Sequence, residues 1–255
     1  MRTYYCRRFE AKFLTGAVAG SLWMGGSIGY IARYPILGEP ASINAFALGV
    51  RMTAPYAPIE LSWSSQSEDP WGDLIAKRAR IISLYETTLR HTAHGDEIIP
   101  MSTLMMQPSG EFEPVASACY DWGEMYVQLV SSVLNGGWAS YKPSEASAVS
   151  YWWGMDSGAI DIRLSDNLPA GVKQLASILR QDMREGQLKP FTAFMRDQNG
   201  NVRNDGTHLF SAEELMRMNW LLDSISGSIP TEGELLPMSR ETTRLLSLDP
   251  EEQKK

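Results

Sequence analysis

The stretch that decides the fold is Phe13-Leu14-Thr15-Gly16-Ala17-Val18-Ala19-Gly20-Ser21-Leu22-Trp23-Met24-Gly25-Gly26-Ser27-Ile28-Gly29-Tyr30-Ile31-Ala32. It is twenty residues without a charge, preceded by Arg2, Arg7, Arg8 and Lys12. Length and basic flanks allow a membrane-spanning helix, and Gly16 with Gly20 supplies a small-xxx-small pair. Five glycines in twenty residues argue otherwise, with Gly25-Gly26 placed as a helix stop. The better reading is a buried helix over Phe9 to Met24, a glycine turn, and a short buried strand over Ser27 to Ala32.

Outward from that unit the same alternation continues. Strands are expected over Ile59 to Ser64, Arg80 to Glu86, Ser102 to Met106, Val115 to Tyr120, Val149 to Met155 and Ile160 to Leu164. Helices are expected over Pro40 to Met52, Pro70 to Lys77, Trp122 to Asn135, Pro169 to Glu185 and Ser211 to Ser226. Asn167 is a candidate cap for the fourth of these. Ser211 with Glu214 has capping-box spacing at the last. Strands alternating with helices of this length make an α/β fold, a parallel or mixed sheet covered by helices. Asp197-Gln198-Asn199-Gly200 reads as a tight turn. After Pro230 the chain turns polar and charged, the pattern of a mobile tail.

Composition narrows the function classes. The chain has 255 residues, 44% hydrophobic and 21% charged, with 23 Lys and Arg against 30 Asp and Glu and a formal charge of −7. That balance opposes a nucleic-acid binder. Two cysteines, Cys6 and Cys119, make neither a disulfide framework nor a zinc site. Cys6 precedes the apolar run, so it is not the modified cysteine of a lipoprotein signal, and no signal peptide is read in the chain.

The motif matches fail on mechanism. Gly25-Gly26-Ser27-Ile28-Gly29 fits G-x-S-x-G, but the nucleophile elbow needs strand then helix, and here the order is reversed. Ser165-Asp166-Asn167 lacks its companion β-lactamase elements. Asp197, Asn199 and Asn201 imitate a calcium loop with Val202 where glycine is required. His91 and His94 are read as a solvated loop without a third ligand. No phosphate-binding glycine loop occurs, and no metal or cofactor is expected. With three histidines and no paired carboxylates, an enzyme is the weakest reading.

What remains lies at strand ends, where open α/β sheets bind ligands. Arg33 and Tyr34 follow one strand and Glu86, Thr87 and Thr88 another. Tyr120, Asp121 and Trp122 follow a third, and Trp152, Trp153, Met155 and Asp156 a fourth. Aromatic faces with carboxylates and hydroxyls suit a flat hydrogen-bonding heterocycle.

At these same residues the chain resembles the basic membrane protein family of solute receptors. The likeness runs through Gly29-Tyr30-Ile31-Ala32, Ile43-Asn44-Ala45-Phe46-Ala47-Leu48-Gly49, Tyr120-Asp121-Trp122-Gly123, Tyr151-Trp152-Trp153-Gly154-Met155, Asp197-Gln198-Asn199-Gly200 and Met218-Asn219-Trp220, in the family's order from Phe9 to Pro230. The resemblance implies a type I periplasmic-binding-protein fold of two Rossmann-like lobes closing on a purine nucleoside. It also implies an ABC permease as partner and an extracytoplasmic, membrane-associated location. By that resemblance residues 1–24 hold a helix of an incomplete first lobe. Residues 25–230 form the receptor-like region, mainly second lobe, and 231–255 a charged tail, with a completing segment or domain as a further expected partner. The alternatives are a cytoplasmic sensing module with the same pocket, or a remnant that binds nothing.

Overall fold

The computed structural model describes residues 3–85, 87–92, 95–136 and 151–245, with 87–92 and 95–100 described as backbone alone. The order is β1 (Tyr4–Cys6), α1 (Arg8–Ser21), β2 (Ser27–Ala32), α2 (Glu39–Thr53), β3 (Ile59–Trp63), α3 (Pro70–Ala76) and β4 (Ala79–Leu84). Then come β5 (Thr87–Thr92), β6 (Gly95–Pro100), β7 (Ser102–Met106), β8 (Phe112–Tyr120), α4 (Trp122–Leu134), β9 (Tyr151–Trp153) and β10 (Ile160–Leu164). The chain continues through α5 (Ala170–Arg184), β11 (Phe194–Arg196), β12 (Val202–Asp205), α6 (Ala212–Met216), β13 (Ile225–Ser226) and α7 (Pro237–Leu245).

The glycine-rich run is split as the helix–turn–strand reading requires. Gly25 and Gly26 sit at φ +117° and +76°, where a side chain is strained, and a Cβ on Gly26 would meet the Arg78 carbonyl oxygen at 2.6 Å. Among the described residues no helix is long and apolar enough to cross a membrane. Gly16 and Gly20 serve packing within the chain. A Cβ on Gly16 would lie 2.2 Å from the Phe46 carbonyl oxygen, and one on Gly49 would lie 2.0 Å from that of Phe13. Helices α1 and α2 therefore cross backbone to backbone.

The central sheet has seven strands in the order β10-β8-β7-β4-β2-β3-β13. Strands β4, β2, β3 and β13 pair in parallel, while β7, β8 and β10 add antiparallel. Five strands, β2, β3, β4, β8 and β13, run the same way. Alternation along β2 divides the core. Ile28, Tyr30 and Ala32 join the cluster under α1 and α2, whereas Ile31 faces Leu74 of α3 on the other side. Three smaller pairs complete the structure: parallel β1–β9 and the hairpins β5–β6 and β11–β12. The hairpin turn follows Asp197, whose carboxylate accepts the amides of Asn199 and Asn201 and pairs with Arg203 at 2.6 Å. Burial pushes that carboxyl up, but hydrogen bonds from Asn201, Arg203 and Asn199 outweigh it and hold the pKa at about 2.

Four local expectations are corrected. The helix expected over Ser211 to Ser226 ends at Met216. Beyond it the Asn44 side chain takes the Leu222 amide and donates to the Trp220 carbonyl, both at 2.9 Å, so the segment is spent on burying Met218, Leu221 and Leu222. Asn167 caps nothing. The cap position of α5 is Pro169, and the Asn167 amide turns back to the Ser165 hydroxyl. The stretch holding His91 is strand, paired in register from Thr87↔Pro100 to Thr92↔Gly95, while His94 lies outside the described residues. The polar segment after Pro230 folds at least as far as Leu245. Leu235 is buried, the Leu236 amide bonds the Ser65 carbonyl at 2.8 Å, and α7 buries Ser239 and Thr243. Residues 246–255 lie outside the described residues.

Candidate functional site

Because β2, β4 and β8 run the same way, their carboxyl ends share one edge of the sheet. That edge carries Arg33 and Tyr34, Tyr85, and Tyr120 with Asp121 and Trp122. The Arg33 guanidinium lies 5.1 Å from the centre of the Tyr34 ring. Tyr120 and Trp122 face each other at 5.3 Å and 49°, and Trp122 remains 47% exposed. Asp121 begins α4, its Oδ1 accepting the Glu124 amide at 2.9 Å, which leaves its second oxygen for solvent or ligand.

Beneath that edge lies a buried charged group that sequence reasoning missed. Arg8 and Glu39 pair at 2.8 Å, both buried, at the first positions of α1 and α2. Arg8 also sits 4.6 Å from the Tyr85 ring centre. The Tyr30 hydroxyl donates to Glu39 at 3.3 Å. Lys12, one turn after Arg8, donates to the Ser83 hydroxyl at 3.3 Å and to the Leu84 carbonyl. Burial pulls the Arg8 pKa down, but Glu39 and the surrounding phenols raise it further, so the guanidinium stays charged. Burial and Glu39 both push the Tyr30 phenol up, so it stays a neutral donor. The signal was in the sequence, as Arg8 and Lys12 are four apart on a helix buried along nearly its whole length. They read there as flanking charges.

The remaining predicted residues go elsewhere. Trp153 is buried, stacked at 4.9 Å on Tyr151, and packs with Cys6 and Met125. Met155 is buried, its amide held by Glu10 Oε2 at 2.7 Å. Asp156 pairs with Arg7, which also holds Glu10 at 2.8 Å. Burial pushes the Glu10 carboxyl up against the pull of Arg7. This ion cluster and the rings of Phe9, Trp152, Phe191 and Phe210 line a cavity of about 410 Å³. A second hollow of about 450 Å³ lies beside Tyr120 and Asp121, where Arg180 and Arg184 share the Asp161 carboxylate. Glu86 and the side chains of Thr87 and Thr88 lie outside the described residues. Among the described residues no three acidic, histidine or cysteine side chains are grouped to hold a metal.

Aromatic, acidic and basic side chains thus gather at the carboxyl ends of strands that run the same way. No family model matches the chain. It is 25% identical over 240 residues to a purine-binding protein of Brucella abortus, across 90% of this chain and 66% of that protein. It is 28% identical over 167 residues to a putative ABC transporter glucose-binding protein of Haloferax volcanii, across 62% of this chain and 41% of that protein. A solved ABC transporter solute-binding protein from Conexibacter woesei aligns with a TM-score of 0.47 and 13% identity, over 73% of this chain and 64% of its own. The chain thus spans no more than about two thirds of the curated relatives it matches, and both of those are named for binding a small solute.

Proposed function

We infer that this chain is a solute-binding component of an ABC-type uptake system and takes a purine nucleoside or related heterocycle without chemistry. The observation that carries the reading is the shared edge: Arg33, Tyr34, Tyr120, Asp121 and Trp122 stand at the carboxyl ends of strands that run the same way, in a chain similar over 90% of its length to a purine-binding protein. An exposed tryptophan gives a flat ring a stacking face. The free oxygen of Asp121 accepts hydrogen bonds from ring nitrogens or ribose hydroxyls, and the buried Arg8–Glu39 pair fixes the floor. Trp153 and Met155 serve this reading as packing and Asp156 through its pair with Arg7, while Glu86, Thr87 and Thr88, which follow β4 in the sequence, are proposed as further members of the set. The resemblance to the basic membrane protein family supports a permease partner and an extracytoplasmic, membrane-associated location.

A sugar is the second reading, favoured by the glucose-binding relative and by the liking of sugar faces for aromatic rings. Calorimetric titration separates the two. Adenosine, guanosine or inosine should bind and glucose should not, and Trp122→Ala should weaken the nucleoside by about tenfold or more, one lost stacking contact. Binding of glucose alone would replace the purine reading. Nucleoside affinity unchanged in Trp122→Ala would move the site away from this edge.

A further inference from the structure

The segment after Pro230 is mostly exposed and polar, yet it is tied in place. The Trp63 indole, at the end of β3, donates to the Ser228 carbonyl at 2.8 Å, so the chain leaving β13 runs alongside β3 toward the carboxyl edge of the sheet. There Thr231 gives both its amide and its hydroxyl to Glu234 Oε2 at 2.8 Å, closing the turn Glu232–Glu234. Arg240 reaches back from α7 to the Leu235 carbonyl at 3.1 Å, and Arg244 to Glu232 at 2.8 Å. These local bonds present two residues inward: Leu235, 2% exposed, and Leu236, whose amide bonds the Ser65 carbonyl at 2.8 Å.

Ser65 is where this segment meets the ligand edge. The pairing of β2 with β3 ends at Ala32↔Trp63, one residue before Arg33. Beyond it the Ser65 amide donates to the Arg33 carbonyl at 3.1 Å. The Ser65 hydroxyl is buried with no hydrogen-bond partner among the described residues, so its polar anchoring comes from its backbone. Two hydrogen bonds in series thus run from Leu236 through Ser65 to Arg33. The far end of the loop 33–38 is held separately, by the Gly38 amide on the Met216 carbonyl at 2.8 Å.

We propose that residues 229–245 brace the loop carrying Arg33 and Tyr34, with Leu235 and Leu236 as positioning residues. Side chains that meet a solute from a loop are held in place by the packing and hydrogen bonds behind them, and here that support comes from the far end of the chain. Its bearing on binding rests on this edge being the solute site proposed above; the brace itself does not.

Amide hydrogen exchange of the full chain, read by mass spectrometry, tests the brace without a ligand. Leu235→Asp puts a carboxylate in a buried position. It should speed exchange about tenfold in residues 33–38 and 64–67 as well as 229–245, and leave α1, β2 and β4 unchanged. Leu235→Met should behave as the unaltered chain. So should Leu245→Asp, the same charge on a residue of α7 that is 73% exposed. Titration with adenosine gives the second readout: Leu235→Asp should weaken binding about tenfold or more, with the other two variants unchanged. Faster exchange confined to 229–245 overturns the proposal, as does faster exchange throughout the chain, which would make Leu235 an ordinary core residue. Adenosine held equally well by a Leu235→Asp chain whose loop has loosened overturns the positioning role. A loosened loop in a chain whose unaltered form takes no adenosine upholds the brace and removes the purine reading.

Discussion

A buried guanidinium explains more about this molecule than any of its exposed charges. Arg8 and Glu39 are inside, 2.8 Å apart, with Tyr30 donating to the same carboxylate. Replacing both by apolar residues of like volume costs little, whereas removing one strands the other's charge in the interior. Arg8→Met should therefore lower stability by about 3–5 kcal/mol in urea denaturation, and Arg8→Met with Glu39→Leu should recover most of the loss. A single variant no worse than the double would mean that water reaches the pair. Sequence reading could not find this pair because it joins residues 31 apart through the start of two helices. The aromatic and acidic residues at strand ends were legible, because position after a strand is a local property. Which of them face one another was not. Asp121 and Trp122 stand at the open edge, while Trp153, equally aromatic and equally terminal, is consumed in the packing of β1, β9 and α4.

At the scale of elements, periodicity did well where both faces of a segment were decided by burial. β2, β7 and β10 fall where the pattern put them, and α1 ends at Ser21, three residues before the expected Met24 and ahead of the glycine pair. It failed where a distant residue intervened. Asn44 captures the backbone near Leu222, which cuts the last expected helix to five residues, and Ser65 anchors a segment that composition alone marks as a tail. The contact between α1 and α2 gives the sharpest test. Gly49→Ala puts a methyl 2.0 Å from the Phe13 carbonyl oxygen, so the helices must part, at a cost of about 1–3 kcal/mol by chemical denaturation. Gly171→Ala in α5, where a Cβ meets nothing within 4 Å, should be neutral or stabilising, as helix propensity demands. Equal effects at the two positions would mean that α1 and α2 lie farther apart than described.

For the whole molecule, the direction of the strands bears on where a solute is held. Five strands aligned the same way gather the polar and aromatic ends at one edge, and the buried charges of α1 and α2 hold that edge from below.

The most direct test of solute binding is a thermal melt of the chain alone and with adenosine, guanosine, inosine, adenine and glucose. A ligand at about a hundred times its dissociation constant adds about 2.7 kcal/mol to the folded state, a rise of several degrees for a chain of this size. A rise with the purines and none with glucose is the predicted result. A cooperative melt at one temperature in all five would contradict purine binding by this chain.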